Sequence, residues 1–213
     1  MKAHTAKSQA DISPSMALDI LKEGNQRFVN NLKINRNLLE QVNDTKDGQF
    51  PFAIVLSCID SRTSAELIFD QGLGDVFSVR IAGNVLNDDI LGSMEFACKL
   101  AGSKLIVVLG HSKCGAIKGA CSDVKLGNLS GLLDKIKVSV DEVRSEMPGT
   151  DSLDPEFVKA VETHNVLHTM DLILENSPVL KELFDAGEIG ITGGIYDVDT
   201  GEVEFVKNIL SDN

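Results

Sequence analysis

The chain contains no tryptophan and has 20 lysine and arginine residues against 32 aspartate and glutamate residues. The resulting formal charge of -12 argues against a surface for nucleic acid or an anionic membrane, because such a surface needs clustered positive charge. No segment approaches the roughly 20 consecutive apolar residues of a membrane-spanning helix. Residues 1–13 are polar and lack the apolar stretch of a signal peptide, so the sequence predicts a cytoplasmic protein.

Cysteine is also scarce. The four cysteines are too few and too irregularly spaced for a disulfide framework, and no pair has the C-x-x-C spacing of a thioredoxin-like redox motif. We interpret Cys98 and Cys121 as core residues, because an isolated cysteine usually packs as a small apolar side chain. Cys58 and Cys114 have polar neighbours and call for a different explanation.

The chain is 213 residues long, enough for one sizeable core. We predict a flexible tail over residues 1–13 and a single domain over residues 14–213. Ser13-Pro14 is typical of a helix start, with serine as the N-cap and proline at the first helical position. Apolar residues from Met16 to Leu32 follow at helical spacing, which predicts an amphipathic helix that needs a surface to lie on.

The rest of the chain alternates between short apolar runs and helical patterns. Buried strands are predicted at 52–56, 76–80 and 104–109, with helices near 64–69 and 87–101 between them. Strands joined by helical crossovers form a parallel sheet with right-handed connections. A strand at 189–196 is followed by a tight turn and a strand at 202–206, and such a turn allows only antiparallel pairing. The predicted fold is α/β, a mostly parallel sheet flanked by helices with an antiparallel edge strand.

Two polar segments follow the first and third predicted strands. They are Ser57-Cys58-Ile59-Asp60-Ser61-Arg62 and His111-Ser112-Lys113-Cys114. Ligand sites of parallel α/β sheets collect at the carboxyl ends of the strands, so we expect the segments to meet in space. Two thiolates and one imidazole form the Cys₂His set that binds catalytic zinc and leaves a fourth position for water. The sequence thus predicts one Zn²⁺ per chain on Cys58, His111 and Cys114.

Asp60 and Arg62 lie close to the first predicted ligand. Asp60 shares a face with Cys58 if the strand geometry continues to that point. It could become a conditional fourth ligand or accept a hydrogen bond from bound water. Arg62 is the expected bidentate partner of Asp60, and this pairing would hold the carboxylate away from the metal.

Other interpretations of these residues are less consistent with the spacing. Structural zinc sites usually have four Cys or His ligands that lie close in sequence. A phosphatase loop with Cys58 as nucleophile would need a longer step to its arginine, and Asp60 would repel the phosphate. His164 and His168 are spaced to share a helix face, but no acidic or thiol partner accompanies them, so we interpret them as ordinary packed or solvated residues.

The pattern Cys-x-Asp-x-Arg followed by His-x-x-Cys resembles the β-class carbonic anhydrases, from about residue 14 to residue 206. The resemblance implies that Cys58, His111 and Cys114 bind zinc and that Asp60 and Arg62 form the catalytic pair. It also implies a homodimer, which can assemble further into a dimer of dimers. The N-terminal helical arm of each subunit would then pack on its partner and provide a surface for the apolar stripe.

The same resemblance implies a pocket for CO₂ or bicarbonate. Its residues would be Gln49, Phe77, Ala82, Phe96 and Gly115, with Phe96 supplied by the partner subunit. Plant-type members carry tyrosine where this chain has Phe96, and Ala82 also departs from their pattern, which bears on pocket size and rate. Some members close the site when the aspartate binds zinc, and their bicarbonate pocket includes a tryptophan. The lack of tryptophan argues against that regulation here, and Gln49 favours the open form.

The implied reaction is the reversible hydration of CO₂ to bicarbonate and a proton by zinc-bound hydroxide. Two alternatives stay open at this point. One is hydrolysis of COS or CS₂ on the same zinc, and the other is a non-catalytic zinc- or bicarbonate-binding protein of a larger assembly. The Asp60 and Arg62 pair argues against the second, because a binding module has no need of it.

Overall fold

A computed structural model describes residues 3–210 and contains a five-stranded sheet of order β2-β1-β3-β4-β5. The strands are β1 (Ala53–Ser57), β2 (Val76–Arg80), β3 (Leu105–His111), β4 (Gly190–Tyr196) and β5 (Val203–Ile209). All neighbouring strands are parallel except β5, which pairs antiparallel with β4. The predicted α/β fold and its antiparallel edge strand are confirmed.

Helices cover both faces of the sheet. They are α1 (Ala6–Ala10), α2 (Pro14–Val29), α3 (Leu38–Thr45), α4 (Ala65–Ile68), α5 (Asp88–Glu95), α6 (Gly115–Cys121), α7 (Gly127–Glu146), α8 (Pro155–Asn176) and α9 (Pro178–Asp185). A 3₁₀ turn covers Ala82–Asn84, and a π-helical turn over Phe96–Leu100 continues α5, where the sequence predicted one uninterrupted α-helix. Across residues 3–210 the structure has no helix both long and apolar enough to cross a bilayer.

The central strands β1 and β3 are buried at every position, as their unbroken apolar runs predicted. Alternate residues of β1, such as Ile54 and Val55, belong to the apolar clusters on opposite faces of the sheet. One face is covered mainly by α5, α8 and α9, and the other by α2 and α4. A third cluster, between α6, α7 and α8, includes Cys58 and Cys114. The two cysteines therefore lie where the sheet meets this helical layer.

The prediction of a flexible N-terminal tail is wrong for residues 3–13. The Thr5 side chain caps α1, and Ile12 belongs to the core with 7% of its surface exposed. The buried amide of Gln9 donates to the carbonyls of Pro51 at 2.7 Å and Ala101 at 2.8 Å. Hydrogen bonds from one side chain largely fix this segment. Such bonds produce no apolar periodicity, so a hydrophobic pattern could not reveal them. Residues 1 and 2 lie outside the described part of the chain.

The amphipathic helix begins as predicted, with the Ser13 side chain accepting a hydrogen bond from the amide of Met16. Its buried apolar face packs on this chain's own sheet, which corrects the expectation that this face lies on a partner subunit. The sheet face beneath it would otherwise be uncovered. Met16 and Leu32, at the two ends of the predicted stripe, are exposed. The buried apolar residues are Ala17, Leu18 and Leu21.

A buried ion cluster ties α2 to the chain after α4. The Asp70 carboxylate is 3% exposed and lies 2.6 Å from Nε of Arg27 and 2.6 Å from Nη1 of Arg36. The amide of Ile34 donates to the same carboxylate at 3.2 Å. Burial opposes ionisation of Asp70, but the two guanidinium groups outweigh it and lower the pKa of Asp70 below its usual value.

The variant Asp70→Asn should lower the free energy of unfolding by about 3 to 5 kcal/mol, because it leaves buried guanidinium charge uncompensated. Asparagine tolerates the left-handed φ of 46° at this position, so the loss of stability should reflect the missing charge rather than backbone strain. Denaturant unfolding at pH 7 measures the effect. Asp19→Asn, which removes an exposed carboxylate 3.9 Å from Lys22, is the control and should change stability by less than about 0.5 kcal/mol.

The stabilisation by Asp70 should also depend on pH. A carboxyl group with a lowered pKa stabilises the fold fully above its unfolded pKa of about 3.9, and the effect is lost as pH falls through the folded pKa. The difference in stability between the wild type and Asp70→Asn should therefore shrink below about pH 4. A difference that stays constant from neutral pH into this acid range would contradict the ion cluster.

Candidate metal centre

The carboxyl ends of β1 and β3 are neighbours in the sheet, where Ser57 pairs with Leu109. From β1 the chain crosses to β2 on one side and then to β3 on the other, so the direction of the strand order reverses here. Open α/β sheets bind ligands in the crevice at such a point. Cys58 follows β1 and His111 ends β3, so the topology brings the two polar segments together as predicted.

Cys58, His111 and Cys114 form one buried group whose ligand atoms all lie within 4.8 Å of one another. Nδ1 of His111 lies 2.9 Å from the carbonyl oxygen of Ser112, which favours the proton on Nδ1 and a free lone pair on Nε2. Nε2 is buried and has no hydrogen-bond partner among residues 3–210. An imidazole nitrogen without a partner beside two thiols fits a metal ion, and Cys₂His is a donor set that zinc prefers.

The charges of these three groups depend on one another. The hydrogen bond with Cys114 lowers the pKa of Cys58 although burial opposes the shift, and the same contact raises the pKa of Cys114, with burial adding to the effect. Burial disfavours the imidazolium form of His111, but contact with Cys58 outweighs it and raises the pKa of His111. One thiolate therefore forms readily, whereas a second needs a cation nearby. A divalent ion would supply that charge, because metal binding deprotonates its ligands.

Residues outside the predicted segments hold Cys58 in place. The amide of Gly83 lies 3.4 Å from the Cys58 sulfur and donates to it. Gly83 has a φ of 67°, and a Cβ atom there would lie 2.6 Å from Cδ1 of Ile136, so the turn requires glycine. The carbonyl of Cys58 accepts from Thr63 Oγ1 at 3.0 Å and from Arg80 Nε at 3.1 Å. Sequence reasoning missed these contacts, since they form only in the folded chain.

Asp60 and Arg62 form the predicted bidentate pair. Arg62 Nε donates to Asp60 Oδ1 at 2.9 Å, and Arg62 Nη2 donates to Oδ2 at 2.8 Å. The Arg62 guanidinium holds the pKa of Asp60 well below its usual range. The Asp60 side chain is 18% exposed, and that of Arg62 is 48% exposed. Asp60 is thus an ionised and partly exposed carboxylate with both oxygens engaged by Arg62.

The loop that carries His111 and Cys114 is held from two sides. Ser112 donates its amide to the carbonyl of Tyr196 at 2.9 Å, and its hydroxyl accepts from the amide of Val198 at 3.0 Å. On the other side, the amide of Cys114 donates to Oε1 of Glu162 at 3.0 Å. Burial raises the pKa of Glu162. Sequence reasoning missed Glu162, because a glutamate within a helical pattern normally faces solvent.

Of the predicted substrate residues, two lie beside the metal ligands. Ala82 immediately precedes Gly83, whose amide contacts Cys58, and Gly115 begins α6 directly after Cys114. Apart from the adjoining residues and the backbone of α6, no atom of residues 3–210 lies within 4 Å of the Cβ position at Gly115, so that position faces open space.

The other three predicted substrate residues do not reach the metal ligands of their own chain. Gln49 is exposed and precedes the amino end of β1, whose five residues span about 16 Å before Cys58. Phe77 pairs with Ile54 in the sheet, away from the carboxyl ends. Phe77 contacts Phe96 edge to face, with ring centroids 6.2 Å apart, and both line a separate cavity of about 660 Å³ at β2.

This fold and donor set define an α/β protein with a Cys₂His group that could hold a metal ion at the switch point of its sheet. Residues 53–203 match the family model described as carbonic anhydrase. Carbonic anhydrase 2 of Mycobacterium tuberculosis is 36% identical over 203 residues, which cover 92% of this chain and 95% of that protein. The chain belongs to the β class of the carbonic anhydrase family.

Solved structures of the same class share the fold. The β-carbonic anhydrase CafA of Aspergillus fumigatus superposes with a TM-score of 0.73 at 26% identity, covering 91% of this chain and 90% of that chain. A β-carbonic anhydrase of Sordaria macrospora, described as tetrameric, has a TM-score of 0.70 at 27% identity and covers 76% of this chain and 84% of that chain.

Proposed function

We propose that this chain is a zinc-dependent carbonic anhydrase that catalyses the reversible hydration of CO₂ to bicarbonate and a proton. The observation that carries the proposal is the buried Cys58, His111 and Cys114 group, with its unpartnered Nε2, in a chain of this family. These residues would hold one Zn²⁺ per chain. When bound, zinc lowers the pKa of water to about 7 and so makes hydroxide available near neutral pH.

Asp60 and Arg62 would then control the attack on CO₂. We assign to Asp60 the role of accepting the hydrogen bond of the attacking hydroxide, which orients its lone pair toward the carbon. Arg62 holds both carboxylate oxygens of Asp60 and so keeps the carboxylate ionised and off the metal. Asp60 could become a fourth ligand only after its two hydrogen bonds with Arg62 are broken.

The variant Arg62→Ala should let the Asp60 carboxylate reach the metal. Zinc content should stay unchanged while CO₂ hydration slows about 10- to 100-fold, the usual cost of losing a residue that orients a metal site. The zinc X-ray absorption spectrum should show two sulfur, one nitrogen and one carboxylate oxygen ligand. Lys181→Ala, which removes the exposed ion pair with Asp185, is the control. A spectrum and rate like those of the wild type would contradict the proposed role of Arg62.

We further propose that a second copy completes the pocket, with Gln49, Phe77 and Phe96 acting on CO₂ or bicarbonate together with Ala82 and Gly115. Supporting this, Gln49 lies at the opposite end of β1 from Cys58, and β2 forms one edge of the sheet. The unit would be a homodimer with the exposed part of the N-terminal arm at its interface, or a dimer of dimers. Sedimentation at micromolar concentration should give a mass of two or four chains, and a monomer would contradict the shared pocket.

We propose three further features on the basis of the sequence. The first is that CO₂ is the preferred substrate. A comparison of kcat/KM for CO₂, COS and CS₂ tests this preference. Residues 14–213 form one domain together with the packed segment at residues 3–13, which limited proteolysis tests by the release of no stable internal fragment. The location is cytoplasmic, which cell fractionation tests.

A further inference from the structure

We propose that Glu162 is a positioning residue that orients Cys114 and thereby sets the metal affinity of the site. The inference rests on the proposed zinc site. Glu162 lies in α8, is 5% exposed, and accepts the backbone hydrogen bond of Cys114 at 3.0 Å. The Glu162 carboxylate therefore contacts the backbone of a proposed metal ligand, Cys114, rather than the reacting atoms.

The backbone around Cys114 is in a conformation that needs support. Lys113, just before it, has a left-handed φ of 59°, which is unfavourable for a side chain with a Cβ atom. Cys114 has extended φ and ψ angles of -65° and 122° before α6 begins at Gly115. Such a turn persists only where its surroundings hold it. The hydrogen bond from Cys114 to Glu162 is one such support, and it comes from a separate long helix.

The two metal ligands of this loop are anchored differently. His111 is held from the sheet side, because its Nδ1 lies 2.9 Å from the carbonyl oxygen of Ser112, and Ser112 is bonded to β4 through Tyr196. The amide of Cys114 is held from α8 by Glu162. Loss of the Glu162 carboxylate should therefore change the placement of the Cys114 sulfur while His111 keeps its orientation.

Packing alone does not require a carboxylate at this position. Glu162 lines a cavity of about 390 Å³ together with Ser112, Lys159 and Asp197. An apolar side chain of similar length would occupy the same space, and burying a carboxylate is costly unless it is hydrogen-bonded. Glu162 accepts a hydrogen bond from the amide of Cys114 and also interacts with the backbone of Lys113 in the same loop. The carboxylate is thus explained by its contact with the ligand loop.

The test is the zinc affinity of the full-length protein, measured by competition with a chromophoric chelator. Glu162→Leu removes the acceptor and should weaken zinc binding about 10- to 100-fold. Glu162→Gln keeps a carbonyl oxygen that can accept the same bond, so it should restore most of the affinity. Glu175→Gln changes an exposed glutamate of the same helix and should leave the affinity unchanged. With Co²⁺ in place of zinc, the thiolate-to-cobalt absorption band should shift in the leucine variant and return in the glutamine variant.

A wild-type affinity in Glu162→Leu would overturn the positioning role, and so would a loss that Glu162→Gln fails to restore. Thermal unfolding of the metal-free variants shows whether each variant folds, independently of its zinc affinity. If the leucine variant does not fold, Glu162→Met takes its place with the same expectations. Failure of the wild type itself to bind zinc would overturn the proposed function as well, whereas unchanged affinity in the variants would overturn only the role of Glu162.

Discussion

Replacing His111 with alanine should remove zinc and CO₂ hydration together. The imidazole supplies the one nitrogen of the ligand group, and its Nε2 has no hydrogen-bond partner in the described part of the chain. Without it, two buried thiolates would lie close together with an incomplete coordination sphere. Metal analysis should show almost no zinc after dialysis against a weak chelator, and stopped-flow hydration should fall to the rate of buffer alone. Cys58→Ala should behave in the same way.

The matched control is another buried cysteine. Cys98 is 5% exposed in the apolar core, and burial raises its pKa to about 12, so it has no tendency to form a metal-binding thiolate. Cys98→Ala should retain zinc and full hydration activity despite a modest loss of stability. Full activity in a zinc-free His111→Ala protein would contradict the assignment of the metal to this site.

The variant Asp60→Asn should keep its zinc and lose most of its catalytic rate. Asparagine has nearly the size of aspartate, but it carries no charge and has only one acceptor oxygen. It therefore cannot form both short bonds to Arg62, at 2.8 and 2.9 Å, and its neutral oxygen is a weaker acceptor for the hydrogen bond of the nucleophile. We expect kcat to fall about 10²-fold, the usual loss on removing a group that stabilises and orients the reacting atoms.

Asp171→Asn is the control for Asp60→Asn, because it changes an exposed aspartate that is also paired, with Lys207 at 3.4 Å. It should leave kcat and zinc content unchanged. If Asp60→Asn retained both zinc and the wild-type kcat, Asp60 would have no part in orienting the nucleophile. Loss of zinc in Asp60→Asn would instead assign the aspartate to the metal sphere in the resting protein.

Much of the fold could be predicted because β1 and β3 are apolar at nearly every position. This pattern is typical of strands that are buried on both faces. The predicted strand at 76–80 coincides with β2, and the predicted strands at 52–56 and 104–109 differ from β1 and β3 by at most two residues at either end. The docking of α1 could not be predicted, because Gln9 fixes it through hydrogen bonds to distant carbonyls.

The meeting of Cys58, His111 and Cys114 could be predicted because cysteine and histidine are rare in this chain and follow two strands that a parallel sheet places side by side. Glu162 and Gly83 could not, because they reach the ligands from segments far away in sequence. The local pattern of α8 does contain one sign of its burial, because Val158 and Val166 lie four residues before and after Glu162 and place it on an apolar helix face. The assignment of Gln49 to the pocket stays a prediction from the resemblance, since the single chain keeps it apart from Cys58.

The most direct test of the central claim is CO₂ hydration by stopped flow on the wild-type protein, with zinc content determined on the same sample. We predict one zinc per chain and a rate far above that of buffer, lost when the metal is removed and regained when zinc is added back. A protein that holds one zinc per chain but hydrates CO₂ no faster than buffer would contradict the account and would identify the chain as a non-catalytic zinc-binding protein.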